Sequence, residues 1–227
     1  MIGTGKRNSL TSSGYIYLSV AGLCLGSITS EAQNRQAKKP NVLVISPNGS
    51  KDNWPVQRGF DRFFGILNGS GSYFDPGTLI SNNTFVAPGK NFYYTNAISD
   101  STVKFIQENP KDKPFFFYVA YTAAHWPLHA PESEIAKYKG KYDIGWDSLR
   151  VVRFNKLKKL GIISSNCVLS KRSVEIPEWK NEPLKEWQAR RMEVYAAMID
   201  VKDQGIGRII TALEKKGELE NEATEKV

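Results

Sequence analysis

The stretch that decides the fold is Lys111–Pro131, KDKPFFFYVAYTAAHWPLHAP. Its first half, Pro114–Thr122 (PFFFYVAYT), is a continuous aromatic and aliphatic run, which predicts a buried strand. Its second half is a proline-containing loop that holds His125 and His129, the 2 histidines of the chain. Loops beyond the carboxyl ends of strands in an open α/β sheet line the crevice where ligands bind. The sequence therefore predicts a functional loop directly after a core strand.

The loop concentrates the proton chemistry of the chain at one place. An imidazole titrates near neutral pH, and both imidazoles fall between Thr122 and Pro131, where Pro127 and Pro131 restrict the backbone. Residue types alone leave two interpretations open. The histidines act on a ligand, or they are structural and satisfied by hydrogen bonds within the fold.

The segments around the loop predict an alternation of helix and strand. Asn41–Ser46 (NVLVIS) has the β-branched composition of a buried parallel strand, and a helix that precedes Pro114–Thr122 favours an α/β layout with a parallel sheet. Spacing of apolar residues and of turn formers predicts a surface hairpin over Tyr73–Pro88 and helices over Thr95–Asn109, Trp146–Leu160 and Leu184–Lys216.

The longest predicted helix carries an apolar stripe along one face. Gly205 and Gly207 weaken the helix locally unless its backbone approaches another element closely there. Gly217 is a natural end. The stripe consists of Met192, Tyr195, Ile199, Ile206, Ile209, Ile210 and Leu213.

The amino-terminal segment has the layout of a secretory signal peptide. Lys6 and Arg7 precede an uncharged run over Tyr15–Ile28, which at about 14 residues is short for a membrane span, and small and polar residues follow through Ala32. A buried amino-terminal helix is the alternative. We therefore expect a signal peptide over 1–32, a polar linker over 33–40, and export to the periplasm or the medium. An acidic tail occupies 218–227.

The net charge indicates which ligands to expect, and the positions of the two cysteines indicate whether either is a nucleophile. A formal net charge of +8 favours anionic ligands such as sulfated or uronic-acid glycans, although solvated lysines explain it equally well. The sequence has no recognisable nucleic-acid-binding motif, so a nucleic-acid partner is not expected. Cys24 falls in the expected signal peptide and Cys167 in a polar loop without a nearby histidine, so neither is expected to be a nucleophile.

The deciding stretch resembles the sulfatase family, in which a Pro-Phe-Phe strand leads into an Ala-x-His-x-Pro loop. The flanking phrases are similar as well, in the family's order, and together cover roughly residues 38–217. They are PNVLVI (Pro40–Ile45), RGFDRFFG (Arg58–Gly65), YKGKYDIGWDSLR (Tyr138–Arg150) and RRMEVYAAMIDVKDQGIGRII (Arg190–Ile210).

The resemblance implies hydrolysis of a sulfate ester at a calcium-type ion, with a Cys or Ser converted to formylglycine as the nucleophile. His125 matches the family's histidine that contacts the sulfate and protonates the leaving alcohol, so it is the expected catalytic residue. His129 and Trp126 are the expected substrate-binding residues. The implied fold is α/β, a partial alkaline-phosphatase-like sulfatase sandwich with a mostly parallel sheet flanked by helices, over 41–217.

The sequence departs from the family pattern in the segments that supply the metal ligands and the nucleophile. Ser46-Pro47-Asn48-Gly49 stands where the family has an acidic metal-binding pair, and the Cys/Ser-x-Pro/Ala-x-Arg and Gly-Lys-Trp-His segments are absent. The Asp-Asn ligands expected after the last helix are absent too. We therefore predict no metal ligands, no formylglycine precursor and an inactive, truncated or internally deleted sulfatase. Two interpretations remain: a nonfunctional gene product, and a non-catalytic module that binds sulfated glycans or aryl sulfates without membrane or nucleic-acid partners.

Overall fold

Two long helices meet at the centre of the structure, a computed structural model that describes residues 51–67, 71–111 and 113–219. They are α1 (Tyr94–Glu108) and α4 (Lys185–Lys216), which confirms both predicted helices. The described residues belong to one unit, residues 39–227. The expected signal peptide, linker and first strand, all within 1–50, lie outside the described residues. So does most of the acidic tail.

Small side chains allow α1 and α4 to approach closely. Ala197, Met198, Val201 and Gly205 are buried on one face of α4. A Cβ atom at Gly205 would lie well inside van der Waals distance of the Ser99 hydroxyl oxygen on α1, whereas one at Gly207 would meet nothing within 4 Å. The close approach suggested by the sequence is therefore real at Gly205 and not at Gly207.

The apolar stripe predicted on α4 is present, but most of it is not the packed face. Met192, Tyr195, Ile199, Ile206 and Ile210 are each more than one third exposed. Leu213 is the one member of the stripe that is buried. Hydrophobic spacing identifies apolar faces, and α4 has two of them. Helix α1 packs against the face with the smaller residues, which the stripe reaches only near its end, where Ile209 and Leu213 pack with Ile106 of α1.

The only sheet among the described residues is small and antiparallel. Its strands are β1 (Phe64–Ile66), β2 (Leu79–Ser81) and β3 (Thr84–Phe85), in the order β1-β2-β3. The β2-β3 turn confirms the hairpin predicted over Tyr73–Pro88, and Asn82 has the positive φ of 55° that such a turn requires. The hairpin is not a surface excursion, however, because Tyr73, Leu79 and Ile80 are buried.

The strand predicted over Pro114–Thr122 is wrong for the described residues: the segment belongs to no ladder. Burial alternates along it as in a strand, with Phe115 and Phe117 half-buried and Phe116 and Tyr118 exposed. No neighbouring strand among the described residues offers the backbone hydrogen bonds that would make it one. The mostly parallel sheet is therefore not confirmed.

The remaining helices of the described residues are two α-helices and three short 3-10 helices. Helix α2 (Glu132–Ala136) follows the loop and packs on α4, and α3 (Gly145–Lys159) confirms the third predicted helix. Helix α3 packs on the short 3-10 helix Trp179–Asn181. Two further 3-10 helices, Lys51–Asn53 and Pro55–Arg58, precede β1. In the part of the chain that the structure describes, no helix is long and apolar enough to cross a membrane.

Candidate functional site

The loop Ala123–Pro131 is fastened to the core through the backbone of its histidines. The Tyr73 hydroxyl donates to the His125 carbonyl at 3.1 Å, and the Tyr93 hydroxyl donates to the His129 carbonyl at 2.9 Å. The His125 amide donates to the Thr122 carbonyl at 2.8 Å. Both histidines thus have fixed main-chain positions.

The two tyrosines are reliable donors because they lie in the core. They are 2% and 4% exposed, and their rings stack with centroids 5.9 Å apart. Burial raises the pKa of Tyr93 to about 12 and also raises the pKa of Tyr73. Each hydroxyl therefore keeps its proton, and its hydrogen bond to the loop, throughout the neutral and mildly alkaline range.

The His125 side chain is exposed and its ring orientation is set. Its Nδ1 atom lies 2.7 Å from the Trp126 carbonyl oxygen. A carbonyl only accepts, so Nδ1 carries a hydrogen and Nε2 is the atom that faces outward. Nε2 has no hydrogen-bond partner among residues 51–67, 71–111 and 113–219. It is available to accept a hydrogen bond when neutral and to donate one when protonated.

His129 occupies a different environment. Its ring is half-buried, 6.2 Å from the Tyr73 ring and 5.8 Å from the Phe74 ring between centroids. Its Nδ1 atom is buried and has no partner within the described residues. The two histidines that the sequence placed together therefore differ: one imidazole points outward, and the other packs against the aromatic residues beneath the loop.

Trp126 lies on the open side of the loop and contacts a residue that the sequence did not identify. The Arg191 guanidinium carbon is 4.9 Å from the Trp126 ring centroid and 4.5 Å from that of Trp187. Trp126 and Trp187 are 55% and 54% exposed. An arginine between two indoles is held by cation–π attraction. The i, i+4 spacing of Trp187 and Arg191 on a helix could have indicated that these two side chains meet. No local pattern connected Arg191 with Trp126, although Trp126 itself was an expected substrate-binding residue.

A cleft of about 1000 Å³ opens beside the loop, between α3 and the exposed apolar face of α4. Trp126 and Leu128 of the loop contribute to its lining. Three of the five exposed members of the α4 stripe, Met192, Tyr195 and Ile199, lie there as well. Ile206 and Ile210, the other two exposed members, do not line the cleft.

The donor set does not fit the calcium-type ion that the family resemblance implies. Within the described ranges, no three side chains of His, Cys, Asp or Glu come close enough together to hold a metal ion. A hard divalent cation needs several oxygen ligands at one point. Cys167 is exposed on the loop after α3 and does not line the cleft.

Comparison with known proteins gives a consistent result. The sequence profile described as Sulfatase matches residues 9–223. The chain is 35% identical over 189 residues to an uncharacterized sulfatase of Schizosaccharomyces pombe, covering 75% of this chain and 34% of that protein. It is 32% identical over 180 residues to an arylsulfatase of Klebsiella aerogenes, covering 74% of this chain and 39% of that protein.

Among solved structures, the chain is similar to Ps i-CgsB in complex with k-i-k-neocarrahexaose. The TM-score is 0.48 and the identity 22%, and the match covers 75% of this chain and 32% of the other. The chain thus spans about a third of the length of the curated relatives it matches.

Proposed function

Because the chain belongs to the sulfatase family, we propose that its Ala123–Pro131 loop is the part of a sulfate-ester site that meets the substrate, with His125 as the contacting residue. The supporting observation is the geometry of His125. Two buried tyrosines fasten its loop, its Nδ1 is engaged by the Trp126 carbonyl, and its Nε2 is left free. The ligand class is a sulfated glycan or an aryl sulfate.

The chemistry of an imidazole held in this way is specific. When protonated, its outward Nε2–H donates to the bridging oxygen of a sulfate ester. In a complete sulfatase site an attacking oxygen would take the sulfuryl group as the S–O bond breaks, and that proton would pass to the departing alcohol oxygen, which would leave the ring neutral. Nδ1 keeps its hydrogen and donates it to the Trp126 carbonyl in both states, so the ring need not rotate during the transfer.

We propose further that this chain does not complete the reaction alone. Sulfatases generally use a calcium ion and formylglycine, which supply the activating charge and the attacking oxygen. The sequence between Ile45 and Asn53 has no Cys/Ser-x-Pro/Ala-x-Arg motif, and the donors around His125 within residues 51–67, 71–111 and 113–219 do not fit a metal. An acid without a nucleophile beside it has no sulfuryl transfer to assist.

Binding without turnover is the second candidate, and one observation favours it. Three arginines that line the cleft beside the loop, Arg150, Arg153 and Arg191, have no carboxylate partner among the described residues. Cations of this kind are what an anion-binding surface requires. The net charge of +8 supports the same ligand class.

One assay tests the assigned contact and the absence of turnover together. Equilibrium dialysis with nitrophenyl sulfate, with calcium present, measures binding and sulfate release together. We expect binding by the parent chain, about tenfold weaker binding by His125→Gln because a hydrogen bond to a charged group is lost, and no release by either. Cys167→Ser is the matched control and should bind like the parent. Unchanged binding by His125→Gln would contradict the assigned contact, and calcium-dependent release would contradict the absence of turnover.

Export is a separate proposal that rests on residues 1–32. Amino-terminal sequencing of secreted material should begin between Ser30 and Arg35. A full-length chain retained in the cytosol would contradict it.

A further inference from the structure

We infer that the cleft between α3 and α4 is a binding site for a sulfated oligosaccharide, separate from the point at which His125 acts. The inference rests on the proposed function for the class of ligand only. The location is argued from the side chains that line the cleft: unpaired arginines, aromatic rings and a positive balance of charge.

The arginines of the cleft differ from most others in the described residues. Arg150, Arg153 and Arg191 line it, and none of them has a carboxylate of a described residue within 4.0 Å. Elsewhere, carboxylates pair with arginines at four positions, which are Arg62, Arg172, Arg190 and Arg208. Guanidinium groups without a counterion are the groups that recognise tetrahedral oxyanions through paired N–H donors.

Each cleft arginine keeps donors for a ligand. Arg150 uses Nη2 on the carbonyl and hydroxyl oxygens of Ser170, at 2.8 and 3.1 Å, which orients the guanidinium. Arg191 uses Nη1 on the Gln188 side chain at 2.9 Å, while its Nε is buried without a partner. Arg153 is exposed and has no hydrogen bond or ion pair with any residue that the structure describes.

Aromatic rings supply the other half of the site. Trp126, Trp146 and Trp179 line the cleft together with Tyr142 and Tyr195. Trp146 is fixed by its indole N–H, which donates to the Pro177 carbonyl at 3.0 Å, and its ring meets Trp179 edge to face at 4.7 Å. Rigid aromatic surface with a few placed polar groups is the usual lining of a ligand pocket, and it suits the flat C–H faces of a pyranose ring.

The Trp179 ring lies directly over Gly145. A Cβ atom there would overlap the ring, and Gly145 also has a positive φ of 76°. The start of α3 is therefore built around this ring, which indicates an ordered wall rather than a collapsed surface.

The charge of the lining favours an anion with spaced charges. Two carboxylates, Asp200 and Asp203, face the three arginines. Asp200 is already engaged: Gln204 donates to it at 3.1 Å and Lys137 lies 3.6 Å away, and these contacts lower its pKa. The excess is positive, and sugar rings that carry sulfate groups match a lining that contains both cations and aromatic surface.

The test is titration of tryptophan fluorescence with a heparin hexasaccharide at physiological salt. The parent chain should bind it, and the fully desulfated, N-acetylated hexasaccharide, which keeps its carboxylates, should bind at least tenfold more weakly. Arg153→Ala should weaken binding of the sulfated form about fivefold, and Trp126→Ala should weaken it similarly. Arg58→Ala is the matched control, because Arg58 is bound to Asn53, has no ion pair with any residue that the structure describes and does not line the cleft. Far-ultraviolet circular dichroism establishes that each variant is folded.

Three results would overturn the inference: equal binding of the desulfated hexasaccharide, unchanged binding by Arg153→Ala, or an equal loss in Arg58→Ala. Failure of the proposed function looks different. In that case His125→Gln leaves aryl sulfate binding unchanged while the arginine variants still lose the hexasaccharide. Retained hexasaccharide binding by His125→Gln supports a separate cleft.

Discussion

The two faces of α4 are both apolar, but one is buried in the core and the other is exposed. On one face, Ala197, Met198 and Gly205 are buried against α1 and the histidine loop's supports. On the other, Met192 and Ile199 are exposed beside the cleft. The packed face has small residues that permit close approach, and the open face has larger ones that stay available. Apolar spacing in a sequence therefore marks surfaces that contact something, without saying whether that is the core or a ligand.

The sharpest test of this comparison is a pair of methionines on the same helix. Met198 is 0% exposed and Met192 is 41% exposed. Met198→Ala should lower the free energy of unfolding by about 2–5 kcal/mol, because it leaves a cavity. Met192→Ala should change it by less than about 0.5 kcal/mol. Urea unfolding measures both, and equal losses would show that the open face is packed after all.

The two glycines of α4 give the next largest difference. Gly205→Ala should cost about 1–3 kcal/mol, because Ser99 is fully buried and hydrogen-bonded to Tyr121 at 2.7 Å and has little room to move. Gly207→Ala should instead stabilise the helix by about 0.5–1 kcal/mol, since a Cβ there meets nothing. The same urea titration is the measurement. Destabilisation by both substitutions would contradict the asymmetry of the helix.

The tyrosines beneath the loop extend the comparison from packing to the site. Tyr73→Phe and Tyr93→Phe each remove one hydrogen bond to a histidine carbonyl, at a cost of about 1 kcal/mol. Amide hydrogen exchange should become faster across residues 123–131 and stay unchanged in α3. Tyr195→Phe, on the open face of α4, is the control and should alter neither quantity.

Two buried tyrosines, Tyr93 and Tyr94, predict how the stability of the protein depends on pH. Burial raises the pKa of Tyr93 and of Tyr94 to about 12, above their usual value of 10.0. Stability from a raised pKa is fully present below the unfolded value and is lost as the pH rises through the folded one. The free energy of unfolding should therefore be constant from pH 7 to 9 and fall between pH 10 and 12. The absorbance of tyrosinate reports the ionisation of the tyrosines over the same range. Loss below pH 9 would contradict this.

The sequence predicted the elements that depend on local spacing. The three long helices and the Asn82 turn follow from apolar periodicity and turn chemistry, and the structure has them. The strand over Pro114–Thr122 did not follow, because a ladder requires a partner that no local pattern supplies. The rarity of histidine in this chain marked the loop and the family resemblance selected His125, whose role stays a prediction. Arg191 was not identified, because its partner Trp126 lies far from it in sequence.

The measurement that tests the central claim most directly is proton–nitrogen NMR of the two imidazoles during titration with nitrophenyl sulfate. His125→Gln assigns the two sets of ring signals. We expect the Nε2 signal of His125 to move with the ligand while the ring signals of His129, packed against Tyr73 and Phe74, stay in place. Movement of His129 alone, or of neither ring at saturating ligand, would contradict the assignment of His125 as the residue that meets the sulfate ester.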